Sequence, residues 1–145
     1  MKKLNKMNNN KLIDKLNFAL GWELRAIILY SHYSAYVKGI QRLHLSAHFS
    51  SEATESIGHA NIVRSAIVKL GGKAITDRNS QEIIHTSDYV EMLRHAFDTE
   101  KKASEIYNEI LEELKNYNDD ELYDSIENIY FAELRSVEEV RMLLN

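Results

Sequence analysis

Three carboxylates and one imidazole interrupt otherwise apolar helical stripes in this chain. Glu23 stands between Leu20 and Ile27, and His59 between Ser56 and Val63. Glu100 stands between Phe97 and Ser104, and Glu133 between Ile129 and Val140. The flanking apolar residues recur at steps of three and four, the period of a buried helix face. A buried carboxylate without a partner costs several kcal/mol. Three of them and an imidazole in one core would repel one another and lose their water. A divalent cation offsets both costs.

The register supports a shared site. Counting 33 and 36 residues on from Glu23 reaches Ser56 and His59; the same steps from Glu100 reach Glu133 and Ser136. Two copies of one template are implied: a Glu on a first helix, then Glu-x-x-His on a second. An i, i+3 pair shares a helix face. Neither copy is complete, because Ser56 stands where the template has Glu and Ser136 where it has His. Glu55 or Glu52 could substitute for the carboxylate lost at Ser56. Tyr30 follows Glu23, and Tyr107 follows Glu100, by one heptad. Tyr30 could hydrogen-bond a ligand carboxylate or carry an electron near a metal. His44 and His48 are i, i+4 but read as helix surface near a turn. His32, His85 and His95 have no partner pattern, and Trp22 reads as a packing or interface residue. Glu109, Glu112 and Glu113 read as a solvated face. No Gly-rich phosphate loop, nucleophile elbow or His-Glu-x-x-His is present.

The elements that must carry these residues follow from composition. The chain has 145 residues, 44% hydrophobic, with no proline, no cysteine and 5 glycines. That fits one domain over residues 1–145 with long helices, and a sandwich or barrel would lack its turns. Without cysteine, any metal is held by His, Asp or Glu. Four amphipathic segments appear. Segment A runs from about Asn9 to Lys38, with a seam of Ile13, Leu16, Leu20, Glu23, Ile27 and Tyr30. Segment B runs from about Gln41 to Leu70, with a seam of Leu45, His48, Glu52, Ser56, His59, Val63, Ala66 and Leu70, and stops at Gly71-Gly72. Segment C follows Ser87 or Asp88 as N-cap, with a seam of Leu93, Phe97, Glu100, Ser104, Tyr107, Leu111 and Leu114. Segment D follows Asn118-Asp119-Asp120, with a seam of Leu122, Ile126, Ile129, Glu133, Ser136, Val140 and Leu143. Short A–B and C–D connections predict two antiparallel hairpins. The polar stretch Gly71 to His85 could span about 50 Å when extended, enough to run along a helix of about 45 Å. That predicts an all-α bundle with one long B–C crossover, although an up-down-up-down bundle satisfies the lengths as well.

The formal net charge of −4 disfavours nucleic acid as a partner. Residues 1–8 read as a frayed tail, and no run is apolar enough for a signal peptide or a membrane span. The expectation is a soluble, cytoplasmic protein with neither membrane nor nucleic acid as partner.

The sequence resembles the bacterioferritin branch of the ferritin-like superfamily. Four stretches carry the resemblance: Leu16 to Ile27 with Tyr30, Glu55 to Ala60, Glu91 to Arg94 leading to Glu100, and the segment around Glu133. The resemblance implies a four-helix bundle holding two irons. One iron would sit on the equivalents of Glu23, His59 and two bridging carboxylates. The other would sit on those of Glu100, Ser136 and the same bridges. The metal residues carried over are Glu23, His59, Glu100 and Glu133, and the centre is degenerate at both serines. The family's haem-ligating Met position is Ile57, so no haem is expected. No fifth helix follows segment D, which speaks against a 24-subunit cage. A homo-oligomer, at least a dimer through segments A and B, is implied, because segment A is apolar beyond its seam at Phe18, Trp22, Ile28 and Leu29.

Two functions follow as expectations. The first is an iron-binding protein, mononuclear or dinuclear, with Mn or Zn as alternatives. It would oxidise Fe(II) with O2 or peroxide, as a ferroxidase-type oxidoreductase. The second is a ferritin-like bundle that has lost its chemistry and acts as a structural or interaction protein.

Overall fold

The computed structural model describes the backbone of residues 2–145 and the side chains of residues 9–145. The tail expected over residues 1–8 therefore falls outside the residues whose side chains are described. The elements are α1 (Lys2–Tyr36), α2 (Arg42–Lys69), α3 (Tyr89–Leu114) and α4 (Asp120–Leu144). No strand occurs among the described residues.

Local chemistry sets the helix ends. Arg42 donates from Nη1 to the carbonyls of Ala35 and Val37, both at 2.9 Å, closing the C-terminus of α1. Gly39 takes φ +85° in the following turn. At the end of α2, Gly71 takes φ +81°. There the Gly72 N–H returns to Ile67 O and the Gly71 N–H to Val68 O, the paired bonds of a Schellman cap. The side chain of Asp88 caps α3 by accepting from Val90 N, and that of Asp119 caps α4 by accepting from Leu122 N.

The 70–88 connection runs up the length of α1. Its start lies on Ile13, so close that a Cβ at Gly72 would meet Ile13 Cγ2 at 2.8 Å. Further along, Asn17 pairs with Lys73 and Ile75, and Asn79 N–H donates to Gly21 O. Arg25 then donates to Gln81 O and Glu82 O, and the Tyr33 hydroxyl to Ile84 O. The connection thus returns to the end of the bundle where α2 began. α3 therefore runs parallel to α2, and the crossover topology replaces the up-down-up-down alternative.

Two apolar clusters make the core. One contains Leu12, Leu16, Leu20, Val63, Ile67, Ile110 and Ile126. The other contains Leu29, Tyr33, Phe49, Met92, Leu93 and Val140. On every helix the interrupting polar residues fall between the two. The core is therefore two apolar halves separated by a polar layer.

The seams of α3 and α4 match the expected ones closely, apart from half-buried Phe97 and the exposed Leu143. Three positions on the other hairpin need correction. Phe49, not His48, fills the core on α2, because the stripe drifts by a residue over so long a helix. On α1, Ile13 and Ile27 are half-buried, whereas Leu12, Ala26 and Leu29 are buried.

Candidate metal centre

Each helix of the bundle brings one of the four expected ligands to the polar layer. Glu23, His59, Glu100 and Glu133 are all buried. His59 Nδ1 lies 3.0 Å from Glu133 Oε1 and 3.3 Å from Glu23 Oε2. One ligand atom from each of these three residues falls within 4.8 Å of the others, a group able to hold one ion. Glu100 shares the layer but stands outside that trio.

Two tyrosines cross the bundle to hold the carboxylates. Tyr107, on α3, donates to Glu23 Oε2 at 2.6 Å. Tyr30, on α1, donates to Glu100 Oε1. The expected Tyr30 bond is present, and the reciprocal Tyr107 bond, which sequence reading did not single out, has the same heptad signal. Burial, reinforced by the carboxylate each one meets, raises both phenols well above their ordinary range. Both therefore remain hydrogen-bond donors at neutral pH.

The electrostatics are those of crowded acids. Burial pushes Glu100 well up, and the charge of Glu133 adds to it. Glu133 is pushed up to about 8 by burial, opposed by its bond to Glu100 and reinforced by the charge of Glu23. Without a cation, both shifts favour the protonated carboxyl at Glu100 and Glu133. For His59, burial works against the charged form, but the bond to Glu23 and the charges of Glu23, Glu55 and Glu100 raise its pKa overall. This donor set of carboxylate oxygens and one imidazole fits a hard or borderline cation, whose charge would take the place of protons on the carboxyl groups.

Both serines are buried in the layer, Ser56 on α2 and Ser136 on α4. The two carboxylates considered as substitutes take different sides. Glu55 Oε1 lies 3.7 Å from His59 Nε2, the ring nitrogen turned away from the trio. Glu52 is pushed up to about 8, first by burial and then by the charge of Glu100. A cleft of about 440 Å³ between α2 and α4 is lined by Glu52, Glu55, Ala132, Arg135, Ser136 and Glu139.

The other candidates lie elsewhere. His44 is exposed, and His48 is half-buried with Nε2 inside and unpartnered. His32 Nε2 and His85 Nδ1 meet at 2.8 Å, a pair that sequence spacing does not reveal because 53 residues separate them. Trp22 is buried and donates to Thr99 O at 3.0 Å, so it packs inside the subunit. Leu29 is also buried, whereas Phe18 and Ile28 remain exposed on α1.

A four-helix bundle with one long crossover and a mid-core carboxylate–histidine layer is the architecture of carboxylate metal bundles. The chain belongs to the ferritin-like family: the Ferritin family, described as a ferritin-like domain, matches residues 13–145. It is similar to a ferritin-like diiron-carboxylate protein from Bacillus anthracis str. Ames, at 34% identity and a TM-score of 0.90 over 95% of this chain and 98% of that one. It is also similar to a dodecameric thioferritin, the bacterioferritin-related protein of Bacteroides fragilis. That match has 25% identity and a TM-score of 0.86 over 99% and 93% of the two chains. The DPS protein of Vibrio cholerae O1 shares the fold, with 15% identity and a TM-score of 0.90 over 97% and 92%. Among curated proteins none matches the chain. Among the described residues, no helix is long and apolar enough to cross a membrane.

Proposed function

We propose that this protein binds iron at Glu23, His59, Glu100 and Glu133 and acts as a ferroxidase at an asymmetric centre. The observation that carries the reading is the buried trio of Glu23, His59 and Glu133, drawn from both hairpins and within ligand distance of one another. His59 supplies Nδ1, and Glu55 steadies the opposite ring nitrogen. Glu52, beside Glu100, supplies the second position with the carboxylate missing at Ser56. Tyr107 and Tyr30 fix the orientation of Glu23 and Glu100, so little reorganisation accompanies loading. Bound iron would supply the electron transfer from Fe(II) to O2 or peroxide. The chain's own part is to hold the cation, release the Glu100 proton as it arrives, and limit water in the layer. Mn or Zn fits the same donors. Haem has no role in this reading.

The protein works as a homo-oligomer, at least a dimer, in the cytoplasm. Exposed Phe18 and Ile28 on α1 and Ile57 on α2 support an apolar contact between copies.

The test is metal content and melting temperature after anaerobic loading with Fe(II), for the native chain, Glu23→Ala and His59→Ala. Binding to the native state alone raises stability, so the native chain should melt higher with metal and both variants should lose the gain. Unchanged metal stoichiometry in both variants sinks the site. A native chain that gains no stability from Fe(II), Mn(II) or Zn(II) supports a structural or interaction role instead, the reading favoured by the two buried serines.

A further inference from the structure

On the outer side of the α1–α3 contact, behind the carboxylate layer, lies a small pocket of about 150 Å³. At roughly 30 Å³ per molecule it has the volume of about five waters. Its floor is Trp22 and Thr99, joined by the indole hydrogen bond. Its walls carry cations. Arg25 is 4% exposed, and two of its guanidinium nitrogens donate to Gln81 O and Glu82 O at 3.0 and 2.9 Å. The third, Nη1, is buried with no partner. The Arg25 guanidinium carbon stands 4.7 Å from the centre of the Trp22 ring, and Lys102 Nζ stands 4.6 Å from the same ring.

Neither Arg25 nor Lys102 has an ion pair among the described residues. Two like charges gathered around one indole, with a buried N–H left open, form half of an interaction. His95 and Asp98 complete the lining. The Asp98 carboxylate is exposed and forms no ion pair with either cation.

We propose that this pocket binds a small tetrahedral oxyanion of the inorganic phosphate class. Arg25 Nη1 and Lys102 Nζ would donate to it, and Trp22 would form the apolar back wall. A water could satisfy Nη1 but would leave both charges uncompensated. A tetrahedral oxyanion presents several acceptors to a planar guanidinium and an ammonium at once, and charge-assisted bonds of this kind are the strong ones. The bound anion would tie the crossover, through Arg25, to α1 and to α3. Trp22 and Thr99 directly precede Glu23 and Glu100, so the anion would stiffen the frame of the carboxylate layer without touching it.

The chain contains a single tryptophan, so Trp22 emission reports on the pocket directly. The experiment titrates the metal-free full chain with inorganic phosphate at constant ionic strength and follows emission and heat. One saturable phosphate per chain is expected, displaced by sulfate but not by acetate. Lys102→Gln, on a partly exposed residue, should bind phosphate about tenfold more weakly while keeping the native melting temperature, as expected for one charge-assisted bond. Lys115→Gln, on a fully exposed lysine beyond the end of α3, should bind as the native chain does. Arg25 variants are less informative, because Arg25 also anchors the crossover. Three results overturn the proposal: no saturable signal, equal affinity in Lys102→Gln and the native chain, or acetate displacing phosphate as well as sulfate does.

Discussion

The two hairpins carry the same template and have lost opposite parts of it. The α1–α2 hairpin keeps its Glu and its His, Glu23 and His59, and lacks the intervening carboxylate at Ser56. The α3–α4 hairpin keeps both carboxylates, Glu100 and Glu133, and lacks the His at Ser136. The losses are complementary, so the ligand trio must draw on both: Glu23 and His59 from one hairpin, Glu133 from the other. The electrostatics do not divide the same way. Burial raises Glu100 and Glu133 on the second hairpin and Glu52 on the first, and His59, also on the first, is charged more readily than usual. The first hairpin supplies two members of the trio and the group most readily charged, and the second supplies the third member.

The largest expected effect tests the crowded acids of the shared layer through pH. A carboxylate near 4.3 in the unfolded chain and raised in the fold costs stability as pH rises between the two values. For Glu52 and Glu133 that window runs from about 4.3 to about 8. A His raised in the fold adds stability below its unfolded value of about 6.5, and that gain is lost as pH rises through the folded value. Both shifts act in one direction. The metal-free chain should melt roughly 5–10 °C lower at pH 8 than at pH 5.5. Saturation with Fe(II) or Zn(II) should flatten or reverse the dependence. Melting curves rising with pH in the metal-free chain would break the comparison.

Next in size is repair of the second hairpin. Ser136 borders the α2–α4 cleft, so Ser136→His has room for an imidazole three residues after Glu133, on the same face. Bound metal should rise by about one ion per chain, read by elemental analysis. An unchanged count would show that the missing imidazole is not what limits the second position.

The smallest effect separates the two tyrosines. Tyr107→Phe removes the donor to Glu23, a member of the trio, and Tyr30→Phe removes the donor to Glu100, outside it. Tyr107→Phe should weaken the first metal about tenfold or more, in the range of an outer-shell partner. Tyr30→Phe should leave the first metal within about threefold and weaken any second one. Equal effects on the first metal would mean that Glu100 belongs to the same site as the trio.

How much of this was legible depends on sequence distance. The four polar positions of the layer, the cap clusters at Ser87-Asp88 and Asn118-Asp119-Asp120 and the stop at Gly71 follow from local spacing; the structure buries the four side chains and picks Asp88 and Asp119 as the caps. That Tyr30 would meet a carboxylate of the layer was legible because it sits one heptad from Glu23; that the carboxylate is Glu100, 70 positions away, was not. The His32–His85 pair, the Trp22–Thr99 bond and the Arg25 anchors were not, because each joins residues more than 50 positions apart. His48 was misplaced by one residue, an error that a 28-residue helix makes easy when its stripe drifts.

By itself the sequence determined the helices, their ends, the polar layer and its incomplete ligand set. All of these depend on the 3.6-residue period and on which side chains can cap or ligate. Only the tertiary structure decided the parallel α2–α3 crossover, since chain length allowed either topology. It also decided the sides taken by Glu52 and Glu55. Their backbone positions are three residues apart, and only the assembled bundle sets one beside Glu100 and the other beside His59.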